Sequence, residues 1–369
     1  MTPGFVGGAD PCGRWRTPPF KAALREWWRI VWWNDQIRQG LFPAIANMRD
    51  AEGTLFGSAA DAGSSSTKSR IAIRLETWRK GTCDRDHFRK YHFNIIVHPE
   101  VEVPQPMKSS LYLGYGPVAP PDKLKNACAI QPGEANLLRI RFPDTCSSQM
   151  EDVIQLMTLF GTIGGRSRNG WGSFWMTPNA SGRNQQSDSN LIQAADFFNP
   201  SDRSARCYLD GFASCWSLAL HEDWCHAIGK DNQGLLIWCT EPCNSFAEVI
   251  DKLAEVKIAF RTQFHFQGGG PHPNLCNRQI IAYPITRHIL NAWGFDSRNA
   301  NQIRFKVLPV QNNNGQRKFR GLVVHLPHGM PDTLKGRLDA TDQRTLSTRE
   351  ISVWKAIHAK LDTLLTRLP

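Results

Sequence analysis

The sequence predicts an α+β protein of two domains, on three observations. Candidate helices alternate with strand-like runs along 369 residues; no fixed-period repeat is present; and a polar stretch, TPNASGRNQQSDSN (Thr177 to Asn190), directly follows a strand-like run near mid-chain, as linkers do. The chain exceeds one ordinary domain, so two units of about 150–200 residues are expected. The expected boundaries are residues 1–177, a linker at 178–190, and residues 191–369. A second polar stretch, GSAADAGSSSTKS (Gly57 to Ser69), reads as a loop inside the first domain.

The first element is TPPFKAALREWWRIVWW (Thr17 to Trp33). Thr17 suits an N-cap and the prolines a first turn. Phe20, Leu24, Trp27 and Val31 form one stripe at helical spacing, a core face. Lys21, Arg25 and Arg29 form another, with Trp28 and Trp32 alongside, a pattern suited to phosphates and flat bases. The next strong helix follows Ser148 and Glu151, a capping-box pair ahead of Val153, Ile154, Met157 and Phe160, with Gly161 where a C-cap glycine belongs.

GTIGGRSRNGWGSF (Gly161 to Phe174) comes next, and SFWM (Ser173 to Met176) reads as a strand. The glycines therefore connect a helix to a strand. That excludes a Walker loop and a dinucleotide fingerprint, neither of whose patterns is present. What remains is a run of backbone amides at Gly164, Gly165, Ser167, Asn169 and Gly170 that can approach an anion. Arg166 and Arg168 sit beside them, and Trp171 is placed to stack on a base. In the second half, QIRFKVLPV and KFRGLVVHL are strand-like, and a last helix is predicted from the pair Ser347 and Glu350 through Ile351, Trp354, Ile357, Leu361, Leu364 and Leu368.

Composition agrees with a nucleic-acid partner. Forty-four Lys plus Arg against thirty-three Asp plus Glu leave a formal charge of +11, which favours polyanions. Ten cysteines are too sparse for a disulfide scaffold, and no basic-then-apolar leader opens at Met1, so a reducing cytoplasm is expected. No apolar run approaches the roughly twenty residues of a membrane span.

Two further constellations invite metal or acid–base chemistry. His221, Cys225, Cys239 and Cys243 could hold a structural zinc, though the simpler reading is buried free cysteine. His265, His272, His325 and His328 could include a general base for RNA cleavage, though isolated histidines are more often structural. CTEPC has three intervening residues and is not a thioredoxin-like C-x-x-C. No cofactor is expected.

GTIGGRSRNGWGSF resembles the glycine-rich loop of the RAMP proteins of CRISPR effector complexes. TPGFVGGAD (Thr2 to Asp10), PPFKAALREWWR and LFGSA (Leu55 to Ala59) occur in the order found in the tail-capping subunit of the type III-B, or Cmr-type, complex. The resemblance is specific over residues 1 to about 177 and weak beyond, where RQIIAYPITRHIL (Arg278 to Leu290) and the two strand-like runs suggest a second, degenerate RAMP-like domain. It implies two ferredoxin-like domains. It further implies an RNA-binding, non-enzymatic subunit of an antiviral ribonucleoprotein complex that contacts the 3′ region of CRISPR RNA or the guide–target duplex beside other effector subunits. Family members carry a strand ahead of the stretch matching TPGFVGGAD, whereas here Met1 already lies inside it, so either the start is misplaced or the edge of the first sheet is unusually short. The alternative from another class is a RAMP-type, metal-independent endoribonuclease that processes precursor CRISPR RNA.

Overall fold

Pro18 and Pro19 occupy the first turn of helix α1 (Pro18–Arg38), where a missing N–H costs nothing. Thr17 serves only through its backbone carbonyl, which accepts from Lys21 N at 3.0 Å; its side chain makes no cap bond. A computed structural model describes residues 1–7, 12–59, 66–99, 107–179, 203–312 and 314–368. The inter-domain stretch expected at 178–190 lies almost wholly outside the described residues, as does Gly8 to Asp10 of TPGFVGGAD.

The first half continues through α2 (Ile45–Phe56), the strands β1 (Ala72–Leu75) and β2 (Leu138–Arg141), and α3 (Ser147–Phe160). β1 and β2 pair antiparallel, with Ile73 opposite Ile140 and Leu75 opposite Leu138. Those four side chains join Phe20, Leu24, Trp27 and Val31 of α1 and Val153, Leu156, Met157 and Phe160 of α3 in one apolar cluster. The helix α3 already includes Ser148, so the expected capping box does not form, and no side chain caps its start.

In the second half, among shorter helices and a separate three-stranded sheet, the main sheet and its helices follow in the order β3 (Ile237–Cys239), α4 (Phe246–Thr262), β4 (Ile303–Gln311), β5 (Arg317–His325), α5 (Ala340–Leu364), β6 (Thr366–Arg367). This sheet runs β4-β5-β3-β6 with every neighbour antiparallel. That is the split β-α-β arrangement of a ferredoxin-like fold. A glycine-rich loop between last helix and last strand is missing here, because Leu365 alone separates α5 from β6. The start of α5 differs from expectation: Asp339 is the N-cap, its carboxylate accepting from Thr341 N and Asp342 N at 2.8 Å each. Ser347 and Glu350 are interior to the helix.

Alternation along the strands shows where this sheet sits. Trp238, Val323, Phe305 and Val307 pack on the side of α4 and α5. Ile237, Cys239, Leu322, Val324 and Leu308 belong to the cluster of α1 and α3. The second sheet is therefore buried on both faces, one of them against the first half.

Candidate nucleic-acid interface

Gly161 ends α3 by turning into extended backbone (φ −70°, ψ 141°) while its N–H still reaches Met157 O at 2.8 Å. The loop that follows closes on itself. Ile163 N donates to Gly172 O at 3.0 Å, and Thr162 bridges Ser173. The N-terminal segment lies along the closed stem, with Gly172 N bonded to Pro3 O at 3.0 Å and Thr2 Oγ1 to Gly170 O at 2.9 Å. Of the expected strand SFWM, only Ser173 makes a bridge.

The inner rim of the loop is a joint between the two halves. Phe305 N on β4 donates to Arg168 O at 3.0 Å, and Val307 N donates to Ser173 Oγ at 2.9 Å. These bonds cover the free edge of β4, which pairs with β5 on its other side. Asn169 donates to Leu113 O at 2.7 Å and accepts Lys257 Nζ of α4 at 2.7 Å. Burial, and then Arg261 and Arg166, push the Lys257 ammonium well below the usual lysine value. Arg168 donates to Asn301 O at 3.3 Å; burial and the neighbouring Arg304 bring its guanidinium down to about 10.

Two expectations fail here for a plain physical reason. Trp171 is fully buried, ringed by Phe5, Phe88 and Phe93 at centroid distances of 5.0–6.2 Å, so no face of its indole is open to a base. Arg168, Asn169 and Gly170 likewise turn inward. Gly170 faces Phe305, Leu253 and Ile250, and Ser167 O accepts Gly170 N at 3.1 Å.

The outer rim is different. Gly165 N donates to Phe5 O at 2.9 Å, so that amide is occupied rather than offered to an anion. Gly165 nonetheless forms one wall of a cleft of about 390 Å³ lined also by Phe5, Gly7, Gly13, Gly116 and Lys125. Arg166, exposed and at φ 57°, donates through Nε to Tyr115 O at 2.5 Å beside Gly116. Walls built from glycine admit close approach of a ligand backbone, and Lys125 and Arg166 supply the charge.

On α1 the apolar stripe is core as expected, and Trp28 joins it, packed on Trp32 and Phe56. Trp28 is thus unavailable for stacking. Arg25 and Arg29 both bind the buried carboxylate of Glu52 on α2, Arg25 through Nη2 at 2.7 Å and Arg29 through Nε. Trp224 lies between Arg29 and Arg49, whose guanidiniums stand 4.2 and 4.5 Å from its ring centroid. Lys21 is half-buried, its ammonium lowered by burial and by Arg25. Sequence reasoning missed Glu52, Arg49, Trp224 and Lys125. No local signal marked Glu52: within IANMRDAEGTLF it stands three residues after Arg49, and only the fold brings it to Arg25 and Arg29.

Between the halves, Arg304 of β4 grips Glu26 of α1 with both terminal nitrogens, Nη1 to Oε2 at 2.8 Å. Burial raises the Glu26 carboxyl, but Arg304, Arg168 and Arg29 outweigh it and hold the group below the ordinary carboxylate value.

The zinc constellation does not assemble. Among the described residues no group of three or more His, Cys, Asp or Glu is placed to hold a metal, and all ten cysteines are free thiols. Cys225 lies close enough to Glu26 and Arg304 to feel both charges, whereas Cys239 is inside β3. The histidines scatter too. His325 is fully buried and bonded to Gln302 and His358; burial brings His328 to about 4; His272 is buried against His288 at 2.9 Å; His265 is exposed. No helix among the described residues is long and apolar enough to cross a membrane.

Residues 18–175, from the start of α1 to the end of the glycine-rich loop, match the family model of the RAMP superfamily. Among solved structures, the chain is similar to a crystal structure of Cmr1 from Pyrococcus furiosus in its apo form, at 12% identity and a TM-score of 0.43, covering 90% of this chain and 87% of that one. No curated protein matches.

Proposed function

We propose that this protein is an RNA-binding subunit of a type III, Cmr-type CRISPR effector ribonucleoprotein, that it grips CRISPR RNA or the guide–target duplex, and that it cuts neither. The observation that carries this reading is the outer rim of the glycine-rich loop. Gly165 and Gly116, inside the span that matches the RAMP superfamily model, and Gly13 and Gly7 ahead of it leave a peptide-walled cleft with Lys125 and Arg166 at its edge. A phosphodiester chain needs that combination of close approach and positive charge. Binding without cleavage is supported by the burial of His272 and His325, which keeps those imidazoles from a 2′-hydroxyl, and leaves exposed His265 as the candidate base for the cleavage assay to test.

The test is anisotropy of labelled single-stranded RNA across a salt series. Lys125→Ala with Arg166→Ala is expected to lower the slope of log affinity against log salt by about 1.4, at about 0.7 per single-strand phosphate contact. An unchanged slope removes the cleft from the RNA path. Incubation with labelled repeat RNA, with and without magnesium, is expected to leave the RNA intact; specific cleavage establishes the processing-enzyme alternative instead.

A further inference from the structure

The outward face of the β1–β2 ribbon carries a charge arrangement that folding alone does not reward. Register places Arg74 directly opposite Arg139, and Arg141 opposite Ala72. Alternate residues of a strand share a face, so Arg74, Arg139 and Arg141 all point away from the apolar side, where Ile73, Leu75, Leu138 and Ile140 meet the core. All three arginines are exposed. Like charges directly opposed across two strands destabilise the pair. Slippage cannot relieve it, since a shift of one residue would turn the apolar set to water. Among the described residues, Glu76 is the acid that pairs with this face, through Arg139. Arg70, exposed just ahead of β1, extends the positive run.

The chain then leads from this face to the cleft. Trp78, 59% exposed, follows β1. Arg79 and Gly81 are tied to the N-terminal segment by Trp15 N to Arg79 O at 2.9 Å and Gly81 N to Gly13 O at 2.8 Å. Gly13 lines the cleft. A surface indole thus stands between a glycine-walled cleft and a row of arginines.

We propose that the outer face of the β1–β2 ribbon is a second binding surface for single-stranded RNA, with Arg74, Arg139 and Arg141 on successive phosphates and Trp78 stacked on a base. The strand repeat sets Arg139 and Arg141 roughly 7 Å apart along β2, a step suited to the phosphates of an extended single strand, and Arg74 stands across the pair about 5 Å from Arg139. The exposed indole favours unpaired bases over a duplex, which hides its base faces, and over an anionic lipid or acidic protein, which offers none. The inference deepens the reading of the cleft by continuing the RNA beyond it, yet its residues are separate and can be tested separately.

The experiment measures anisotropy of the full chain with a labelled 20-nucleotide oligouridine over a salt series. Combining Arg74→Ala, Arg139→Ala and Arg141→Ala is expected to lower the salt slope by about two, while the melting temperature stays level or rises as the like-charge pair is relieved. Trp78→Ala is expected to weaken binding at least fivefold and Trp78→Phe to restore most of it. Unchanged slope and affinity in the triple variant overturn the proposal. So does a triple variant that loses phosphatidylserine vesicles or polyglutamate but keeps RNA. If the Lys125 and Arg166 variant binds normally while the ribbon variant does not, the ribbon stands and the cleft reading fails.

Discussion

Replacing Gly170 and Gly172 separately by alanine tests whether the glycine-rich loop is a structural joint. Both residues have left-handed backbones, φ 86° and 65°, so any side chain carries about 1–2 kcal/mol of strain. Their surroundings differ. A Cβ on Gly170 meets Phe305, Leu253 and Ile250 side-chain carbons at 3.5–3.7 Å, ordinary contact. Burying that methyl returns up to about 0.8 kcal/mol, leaving a net loss near 1 kcal/mol. A Cβ on Gly172 falls 1.8 Å from the Ile163 carbonyl oxygen. The stem must open, giving up Ile163 N to Gly172 O and Gly172 N to Pro3 O, about 1 kcal/mol each. The expected loss is therefore at least about 3 kcal/mol, and the N-terminal segment loosens with it. Urea denaturation followed by tryptophan fluorescence reads both variants, since buried Trp171 lies between the two sites. A Gly172→Ala protein as stable as Gly170→Ala would refute the argument.

Two other outcomes follow from the packing. Arg25→Glu is expected to cost about 2 kcal/mol of stability, because it removes a charged hydrogen bond to buried Glu52 and sets a second carboxylate beside it; thermal melts check this, and adding Glu52→Gln should recover part of the loss. Glu350 is buried on α5, and burial lifts its carboxyl from 4.5 to about 7. The folded state therefore holds a proton that the unfolded chain releases, so stability falls as pH rises from about 4.5 to 7 and stays reduced above that, by about 3 kcal/mol. Glu350→Gln should match the wild type near pH 5 and exceed it at pH 8; equal differences at the two pH values would count against a buried protonated carboxyl.

The regular elements were legible where the local signal and the tertiary environment agree. The apolar stripe of Phe20, Leu24, Trp27 and Val31 defined α1, and alternation in QIRFKVLPV and KFRGLVVHL defined β4 and β5. The first turns of α5, ATDQRTLST, are mostly polar, and their helix is set by Asp339 and by tertiary docking, so periodicity began too late. The loop misled for a related reason. Glycines and arginines around Trp171 describe a surface by local composition, but its burial comes from Phe5, Phe88 and Phe93, which no window of sequence holds together. The cleft lining was invisible for the same cause, since Lys125 and Gly116 lie between β1 and β2, where the sequence offers no periodic pattern.

Arg304 and Lys306 show how the two halves become one body. In a strand they occupy alternate positions, Ile303, Phe305 and Val307 taking the others, and the pattern alone reads as a solvated face. The structure turns that face inward. Arg304 holds Glu26, and Lys306 donates to Gly161 O and, at 2.6 Å, to Phe174 O. The first of those carbonyls is the C-terminus of α3, where the helix dipole is negative. Lys306 thus clamps both ends of the glycine-rich loop by its flanking carbonyls, while Phe305 between the two cations bonds the loop's middle through Arg168 O. A loop fixed at both ends and at its centre has little freedom left on its inner rim. Its outer rim, Gly164 to Arg166, is then presented in a set position beside the cleft, so that an RNA strand bound there, as proposed, would meet a surface whose ordering cost was met on folding.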